Sequence, residues 1–267
     1  MTATSGSSKE FASEVLSIEP IMGDAVLITV SAPGPVVSRL KSGQFFNITT
    51  RFPESFDPLL RRPYSVYRVD VRESTMTFLV RPFGRGSAWL AKRQPGELLG
   101  MLGPLGNSFD IDAKAQRLVM LAGGVGVAPL VMLSDEATRQ RLDVVFVMGA
   151  ATADGLLPAS ELAESVEYIV ATDDGTHGHH GLATELIPAY MDWADQIFAC
   201  GPEPMYATLN QVIAPLRTNL KPNVQISVER GMACGLGVCL GCVVETNRGM
   251  IASCIQGPVF DLDEVVL

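Results

Sequence analysis

Between residues 14 and 102 the chain alternates apolar and polar positions in short runs, each closed by Gly, Pro, Asp or Ser. Residues 15–18, 25–30, 45–48, 64–67 and 76–80 are rich in β-branched and aromatic side chains, which suit a pleated, half-buried surface. Their regular spacing predicts an antiparallel barrel or sandwich. Residues 87–92 predict one short helix. Residues 96–106, ending in Gly103-Pro104-Leu105-Gly106, predict a loop-rich exit.

The rhythm changes near Arg117. A continuous apolar run at 118–122 ends in Gly123-Gly124-Val125-Gly126-Val127-Ala128-Pro129, and a helical pattern follows at 130–139. Strand-like runs at 143–149, 168–172 and 196–201 then alternate with helical patterns around 160–163, 184–190 and 203–216. Strands apolar on both faces and separated by helices predict βαβ units and a parallel sheet. A further boundary falls near Lys221-Pro222-Asn223, after which residues 224–228 read as a strand leading into the last part. The expected organisation is an antiparallel β-barrel domain over 9–112, an α/β parallel-sheet domain over 113–220 and a small C-terminal domain over 221–267.

Composition narrows the function classes. The 267 residues are 47% hydrophobic, enough for sizeable cores. The formal net charge of −9 argues against nucleic-acid binding, which relies on Lys and Arg against phosphates. Residues 1–8 are small and polar, carry no basic or apolar targeting pattern, and read as a frayed terminus. The longest uncharged apolar stretch, 118–133, falls short of the ~20 residues a spanning helix needs and is broken by Gly123, Gly124, Gly126 and Pro129. A soluble, cytoplasmic protein with no membrane contact is expected.

Four of the five cysteines, Cys234, Cys239, Cys242 and Cys254, lie within the last forty residues. Their C-x4-C-x2-C spacing, answered by a lone fourth cysteine, is the plant-type signature of a [2Fe–2S] cluster on four thiolates. Interleaved glycines let backbone N–H groups approach a negatively charged cluster. Structural zinc is the alternative, although zinc sites commonly use paired C-x2-C knuckles. Disulfides do not suit a chain without a secretory pattern. Cys200 stands apart, and is a poor fifth ligand or an inert buried thiol. His177, His179 and His180 share a glycine-rich stretch that reads as a solvated loop.

Other motifs have nucleotide chemistry. In Arg62-Pro63-Tyr64-Ser65 the arginine can pair with a diphosphate, the tyrosine can stack on a planar ring and the serine can reach a ring nitrogen. Leu79-Val80-Arg81 ends a strand with another arginine, and Gly84-Arg85-Gly86-Ser87 opens a helix with a hydroxyl cap, a pyrophosphate-binding arrangement. Gly123, Gly124 and Gly126 follow a strand and precede a helix, as a phosphate loop does, although the third glycine of the dinucleotide fingerprint is missing. Asp173-Asp174-Gly175 and Cys200-Gly201-Pro202 end strands, where α/β sheets bind ligands.

Taken together, these motifs resemble the ferredoxin–NADP⁺ reductase superfamily. Within it, Glu229 to Val244 and Cys254-Ile255-Gln256-Gly257-Pro258-Val259-Phe260 are most similar to the electron-transfer subunits of class B dihydroorotate dehydrogenase. The resemblance implies FAD on Arg62, Pro63, Tyr64, Ser65, Leu79, Val80, Arg81, Gly86 and Ser87. It implies NAD(H), as substrate, on Gly123, Gly124, Gly126, Cys200, Gly201 and Pro202, and the cluster on Cys234, Cys239, Cys242 and Cys254. Tyr64, Ser87 and Gln256 depart from the usual residues of the pattern. The implied partner is an FMN-containing catalytic subunit that oxidises dihydroorotate, in a two-plus-two heterotetramer. No residue of this chain is expected to oxidise dihydroorotate itself. The same architecture also serves other flavin and iron–sulfur NAD(P)H reductases, including ferredoxin reductase and sulfhydrogenase-like complexes, and a zinc-stapled interaction protein is the non-enzyme alternative. The preference for NADH over NADPH rests on the resemblance alone.

Overall fold

The computed structural model describes residues 9–217 and 222–267, so the frayed-terminus reading of residues 1–8 and the boundary at Lys221 lie outside the described residues. Six strands close the first barrel: β1 (Lys9–Met22), β2 (Ala25–Ser31), β3 (Phe45–Ile48), β4 (Arg62–Asp70), β5 (Thr75–Val80) and β6 (Leu98–Leu105), in the order β1-β2-β5-β4-β3-β6. Short helices α1 (Gly34–Val37) and α2 (Arg85–Leu90) lie in its connections. Alternation along the strands sends Val15, Ile28, Phe46, Val66, Phe78 and Met101 into one core. Phe46 meets Phe11 and Phe78 edge-on, at 6.1 and 5.9 Å between centroids.

The expected loop at 96–106 is instead the strand that closes the barrel. β6 keeps strict alternation, with Leu99, Met101, Gly103 and Leu105 buried. Its glycines answer a neighbouring strand rather than a turn. A Cβ at Gly103 would lie 2.3 Å from Phe46 Cδ1, and one at Gly100 would lie 2.9 Å from Thr49 Oγ1.

The second sheet has seven strands in the order β10-β9-β8-β7-β11-β12-β15. These are β7 (Arg117–Gly123), β8 (Asp143–Ala150), β9 (Glu167–Thr172), β10 (His179–His180), β11 (Gln196–Cys200), β12 (Asn223–Ser227) and the antiparallel β15 (Val259–Asp261). Even-numbered residues of β7 pack on the side of α3 (Val127–Arg139), and odd-numbered ones on the side of α4 (Glu203–Ile213). The sheet is therefore covered on both faces, as its apolar runs require. Two expected helices are different in kind. Around 160–163 there is only the 3₁₀ turn Ala159–Glu161, and Ala183–Tyr190 is 3₁₀ throughout, with Pro188 inside it and unable to donate an i→i−4 bond. The helix expected to reach 216 stops at Ile213, just before Pro215. The histidine stretch contributes the short edge strand β10 rather than a loop, and His179 Nε2 meets Glu185 Oε2 at 2.7 Å.

Between β12 and β15 the chain leaves the sheet, forms the cysteine loop, the hairpin β13 (Val243–Thr246) and β14 (Gly249–Ala252), and α5 (Ser253–Gln256), then returns. Among the described residues no helix is long and apolar enough to cross a membrane.

Barrel and sheet are joined by a polar knot as well as a shared apolar core. Arg68 on β4 donates through Nε to Asp135 of α3 and through Nη1 to Glu161, each at 2.8 Å, and through Nη2 to the Glu161 carbonyl. Tyr67 donates to the same Glu161 carboxylate at 2.7 Å. Removing the cation would leave two half-buried carboxylates facing each other. Arg68→Met is expected to cost about 2 kcal/mol, between the values for exposed and buried pairs. Scanning calorimetry would read this as a Tm lower by roughly 4–8 °C. An unchanged Tm would mean that the apolar core alone joins the domains.

Candidate functional site

The cysteine loop is held open by backbone shape. Gly235, Gly237 and Leu240 have φ of 70°, 74° and 53°, a conformation that turns successive N–H groups toward one side. Leu236 N–H points at Cys234 Sγ (3.4 Å), Gly237 N–H at Cys254 Sγ (3.2 Å) and Cys254 N–H at Cys242 Sγ (3.4 Å). N–H groups of Cys239 and Leu236 pull the Cys234 thiol down to about 6, toward the thiolate that binds metal. Burial, then the hydrogen bond with Cys242, pushes Cys254 up to about 12, so a metal entering there must displace its proton.

The four cysteines act on one another: Cys239 shifts the Cys234 thiol, and both Cys242 and Cys234 shift that of Cys254. Four thiols in C-x4-C-x2-C spacing with a separate fourth, on a loop whose N–H groups face the sulfurs, fit a [2Fe–2S] cluster. The site is also asymmetric. Cys242 and Cys254 are buried against Phe45, Leu105 and Met232, whereas Cys239 is exposed among Leu236, Val238 and Leu240.

The barrel contributes a second cradle. Arg62, Pro63, Tyr64 and Ser65 run along the start of β4, all half-buried. Burial pushes the Tyr64 phenol up to about 12, so it stays a neutral donor. Thr50 is fully buried with no hydrogen-bond partner for Oγ1, and a Cβ at Gly86 would lie 2.7 Å from that oxygen. An orphaned hydroxyl against a glycine at a helix start beside Arg62 fits a diphosphate-bearing cofactor such as FAD. The Ser87 hydroxyl accepts from Phe83 N and Gly84 N at 2.8 and 3.0 Å, so it holds the loop ahead of α2. Leu79 and Val80 point into the cores and offer only their main chain. Arg81 reaches outward, with Nε 3.0 Å from Asp24.

Arg81 also lines the third part, a cavity of about 440 Å³ at the C-terminal edge of the sheet. Gly123, Gly124, Gly126, Gly201 and Pro202 line it together, in the crevice where strand order reverses about β7. Cys200 does not line it. Its thiol is buried and burial holds it well above the ordinary range, while its carbonyl lies against Gly126. The cavity takes in Asp173 of the expected strand end and adds residues outside the nucleotide motifs, including Ala150, Thr184, Met205 and Glu229. Thr184 is 2% exposed, and its buried hydroxyl has no hydrogen-bond partner among the described residues. Its position inside an apparently helical run carried no sequence signal, whereas Asp173 sits in the strand-ending Asp173-Asp174-Gly175.

Residues 229–266 match the family described as the iron–sulfur cluster binding domain of dihydroorotate dehydrogenase B. Over 240 residues the chain is 38% identical to the dihydroorotate dehydrogenase B (NAD(+)) electron transfer subunit of Bacillus caldolyticus, covering 88% of this chain and 90% of that protein. The corresponding subunit of Desulforamulus reducens is 33% identical over 267 residues, covering 97% of this chain and 99% of its own. Among solved structures, an NADH-dependent reduced ferredoxin-NADP oxidoreductase shares the fold with a TM-score of 0.82 at 23% identity, covering 95% of this chain and 89% of that one. A ferredoxin NADP+ reductase from Neisseria gonorrhoeae with bound FAD and NADP aligns with a TM-score of 0.65 at 21% identity, covering 82% of this chain and 98% of its own.

Proposed function

Because the chain belongs to the family of dihydroorotate dehydrogenase B electron transfer subunits, we propose that it relays electrons between NAD⁺ and a catalytic partner that oxidises dihydroorotate. FAD and a [2Fe–2S] cluster are its cofactors, and NAD(H) is its substrate. When bound, the flavin exchanges a hydride with nicotinamide and releases electrons singly, and the cluster carries one electron at a time. The partner carries FMN, the assembly holds two copies of each subunit, and it works in the cytoplasm. Residues 9–112 serve the flavin, 113–220 together with β12 and β15 the dinucleotide, and the segment between those two strands the cluster.

The roles follow from the side chains. Arg62 and Arg81 neutralise the flavin diphosphate, Tyr64 covers a ring face and Ser65 reaches a ring nitrogen. The main chain at Gly123, Gly124 and Gly126 leaves room for the dinucleotide phosphates, and Gly201 and Pro202 form the opposite lip of the crevice. Arg81, directly after β5 of the barrel, also lines that crevice, which supports a dinucleotide site next to the flavin. Cys234, Cys239, Cys242 and Cys254 hold the irons.

The observation that carries this reading is the asymmetry of the cysteine loop. Its buried pair backs onto β3 and β6 of the barrel, next to the flavin strand, and its exposed cysteine stands at the surface. Electrons can enter from one side and leave by the other. Val238, 80% exposed, with Leu236 and Leu240 beside it, offers an apolar tip for the partner. Co-expression with an FMN-containing partner should yield a complex that reduces NAD⁺ with dihydroorotate, whereas this chain alone should not. Absence of both complex and activity would refute the proposal. Val238→Asp is expected to weaken association by about tenfold or more, since it buries an unpaired charge. Both cofactors should stay in place, as read by absorption spectra and gel filtration.

A further inference from the structure

Among the described residues the crevice at the sheet's C-terminal edge is lined by three charged side chains, Arg81, Asp173 and Glu229. They are spread along it. Glu229 follows β12 by two residues and leads into the cysteine loop, whose Met232 carbonyl accepts from Asn47 Nδ2 on β3 at 3.1 Å. β3 pairs with Arg62 to Ser65 of β4, so this end lies toward the proposed flavin strand. Asp173 directly follows β9, four ladder steps from β12, a span of ~19 Å at ~4.8 Å per step. Leu182, 48% exposed, lines the crevice next to Ala183, which meets the end of β8 at Gly149. The far end thus joins an open apolar side chain to a carboxylate. Asp173 and its neighbour are differently employed. Asp174 Oδ1 accepts from Thr176 N at 3.0 Å and from Thr176 Oγ1 at 2.6 Å, and Thr176 Oγ1 accepts from Ala153 N at 2.9 Å. Thr172 Oγ1 accepts from His177 N at 3.1 Å and donates to the His177 carbonyl at 2.8 Å. These bonds fix the turn. The exposed Asp173 carboxylate has no hydrogen bond or ion pair among the described residues, although its N–H donates to the Ala150 carbonyl at 3.1 Å.

We infer that Asp173 selects the dinucleotide by its adenosine ribose, accepting the ribose hydroxyls of NADH and repelling the 2′-phosphate of NADPH. This rests on the proposal that the crevice takes the dinucleotide. A nicotinamide that reacts with the flavin occupies the β12 end, so the adenosine half lies toward β9. Leu182 then offers the base an apolar surface, and Asp173 offers the ribose two acceptor oxygens held by a fixed turn. A 2′-phosphate cannot accept from a carboxylate and adds negative charge beside it. The lining has no second cation to answer that charge, and Arg81 comes from the barrel with its Nε already 3.0 Å from Asp24.

Ferricyanide reduction by the FAD-loaded protein, with NADH and NADPH compared at one ionic strength, reads the selection. Wild type should favour NADH by about a hundredfold or more in kcat/KM, the scale of a like-charge contact. Asp173→Asn should raise KM for NADH about tenfold with kcat within about twofold, and raise kcat/KM for NADPH about tenfold. Should that variant not fold, Asp173→Ser is measured in its place. Glu229→Gln tests the other carboxylate of the crevice: whatever it does to each rate, the NADH-to-NADPH ratio should stay within about threefold of wild type. Inhibition by ADP-ribose, which lacks the nicotinamide, isolates the ribose. In wild type it should compete about a hundredfold more tightly than its 2′-phosphorylated form, and the Asp173 variant should lose most of that difference. An unchanged ratio in the Asp173 variant, a ratio that moves only in Glu229→Gln, or equal competition by the two ADP-riboses in wild type overturns the inference. FAD-loaded wild type that neither dinucleotide reduces would instead remove the dinucleotide reading of the crevice, and this inference with it.

Discussion

Replacing Cys242 with serine is expected to abolish the visible absorption and EPR signal of the cluster while leaving FAD bound and still reduced by NADH. The side chain is 1% exposed and packed against Phe45, Leu105 and Met232, so no other residue can swing in as a ligand. Serine oxygen is a shorter and harder donor than thiolate, and buried among apolar groups it resists deprotonation. The flavin strand, in contrast, is held by barrel pairing, Phe46 with Tyr64 and Ile48 with Arg62, which the substitution does not touch. Dihydroorotate-driven NAD⁺ reduction in the reconstituted complex should fall by more than about a hundredfold, beyond the 10–100-fold that disturbing a ligand's hydrogen-bond partner costs. NADH-driven reduction of ferricyanide, which can take electrons from the flavin, should stay within about twofold in the same preparation. Loss of flavin together with the cluster would show that the two sites do not fold independently.

The second large effect is expected at Gly126, whose role is space rather than chemistry. A Cβ there would lie 2.3 Å from the Cys200 carbonyl oxygen and 2.7 Å from Gly201 N, both rigid backbone. Its φ of −61° is ordinary, so conformational strain is not the issue. Gly126→Val must push the turn that follows β7 away from the end of β11, at the crevice proposed to take the dinucleotide. Overpacking of this kind costs about 3 kcal/mol, which corresponds to a Tm lower by roughly 6–12 °C. Flavin reduction by NADH should fall about a hundredfold, in line with the cost of misplacing a bound reactant by an ångström. Gly34→Ala is the control. Its nearest atom would be Ser74 Oγ at 3.8 Å, and a change within about 0.5 kcal/mol is expected. An equal loss in both variants would mean that glycine content, not the β7–β11 approach, matters.

Much of this protein was legible in one dimension. Cysteine spacing is a local property, since a cluster loop must deliver its first three ligands within nine residues, 234 to 242, and the signature survives without any knowledge of the fold. Period-two alternation and doubly apolar runs likewise report the barrel and the parallel sheet, because each strand's faces are set by its own residues. What stayed hidden depends on partners distant in the chain. β6 looked like a loop because its glycines serve Phe46 and Thr49 on the other side of a strand pairing. Residues 223–227 and 259–261 read as parts of the cysteine region, yet pair into the nucleotide sheet, a matter of ladder register rather than of composition.

The site divides in the same way. The identities of Cys234, Cys239, Cys242 and Cys254 and of Arg62 to Ser65 were set by motif chemistry, and so was the class of group each could hold. Only the folded chain could bring Arg81 of the barrel to the nucleotide crevice, bury the Thr184 hydroxyl within it and set Asn47 against Met232. Those arrangements have no local signature, because an unpaired buried oxygen exists only once long-range packing has removed its water. The sequence by itself determined which chemistries this protein carries. The tertiary structure decided how they connect, because the distances that govern electron passage are set by contacts between residues far apart in the chain.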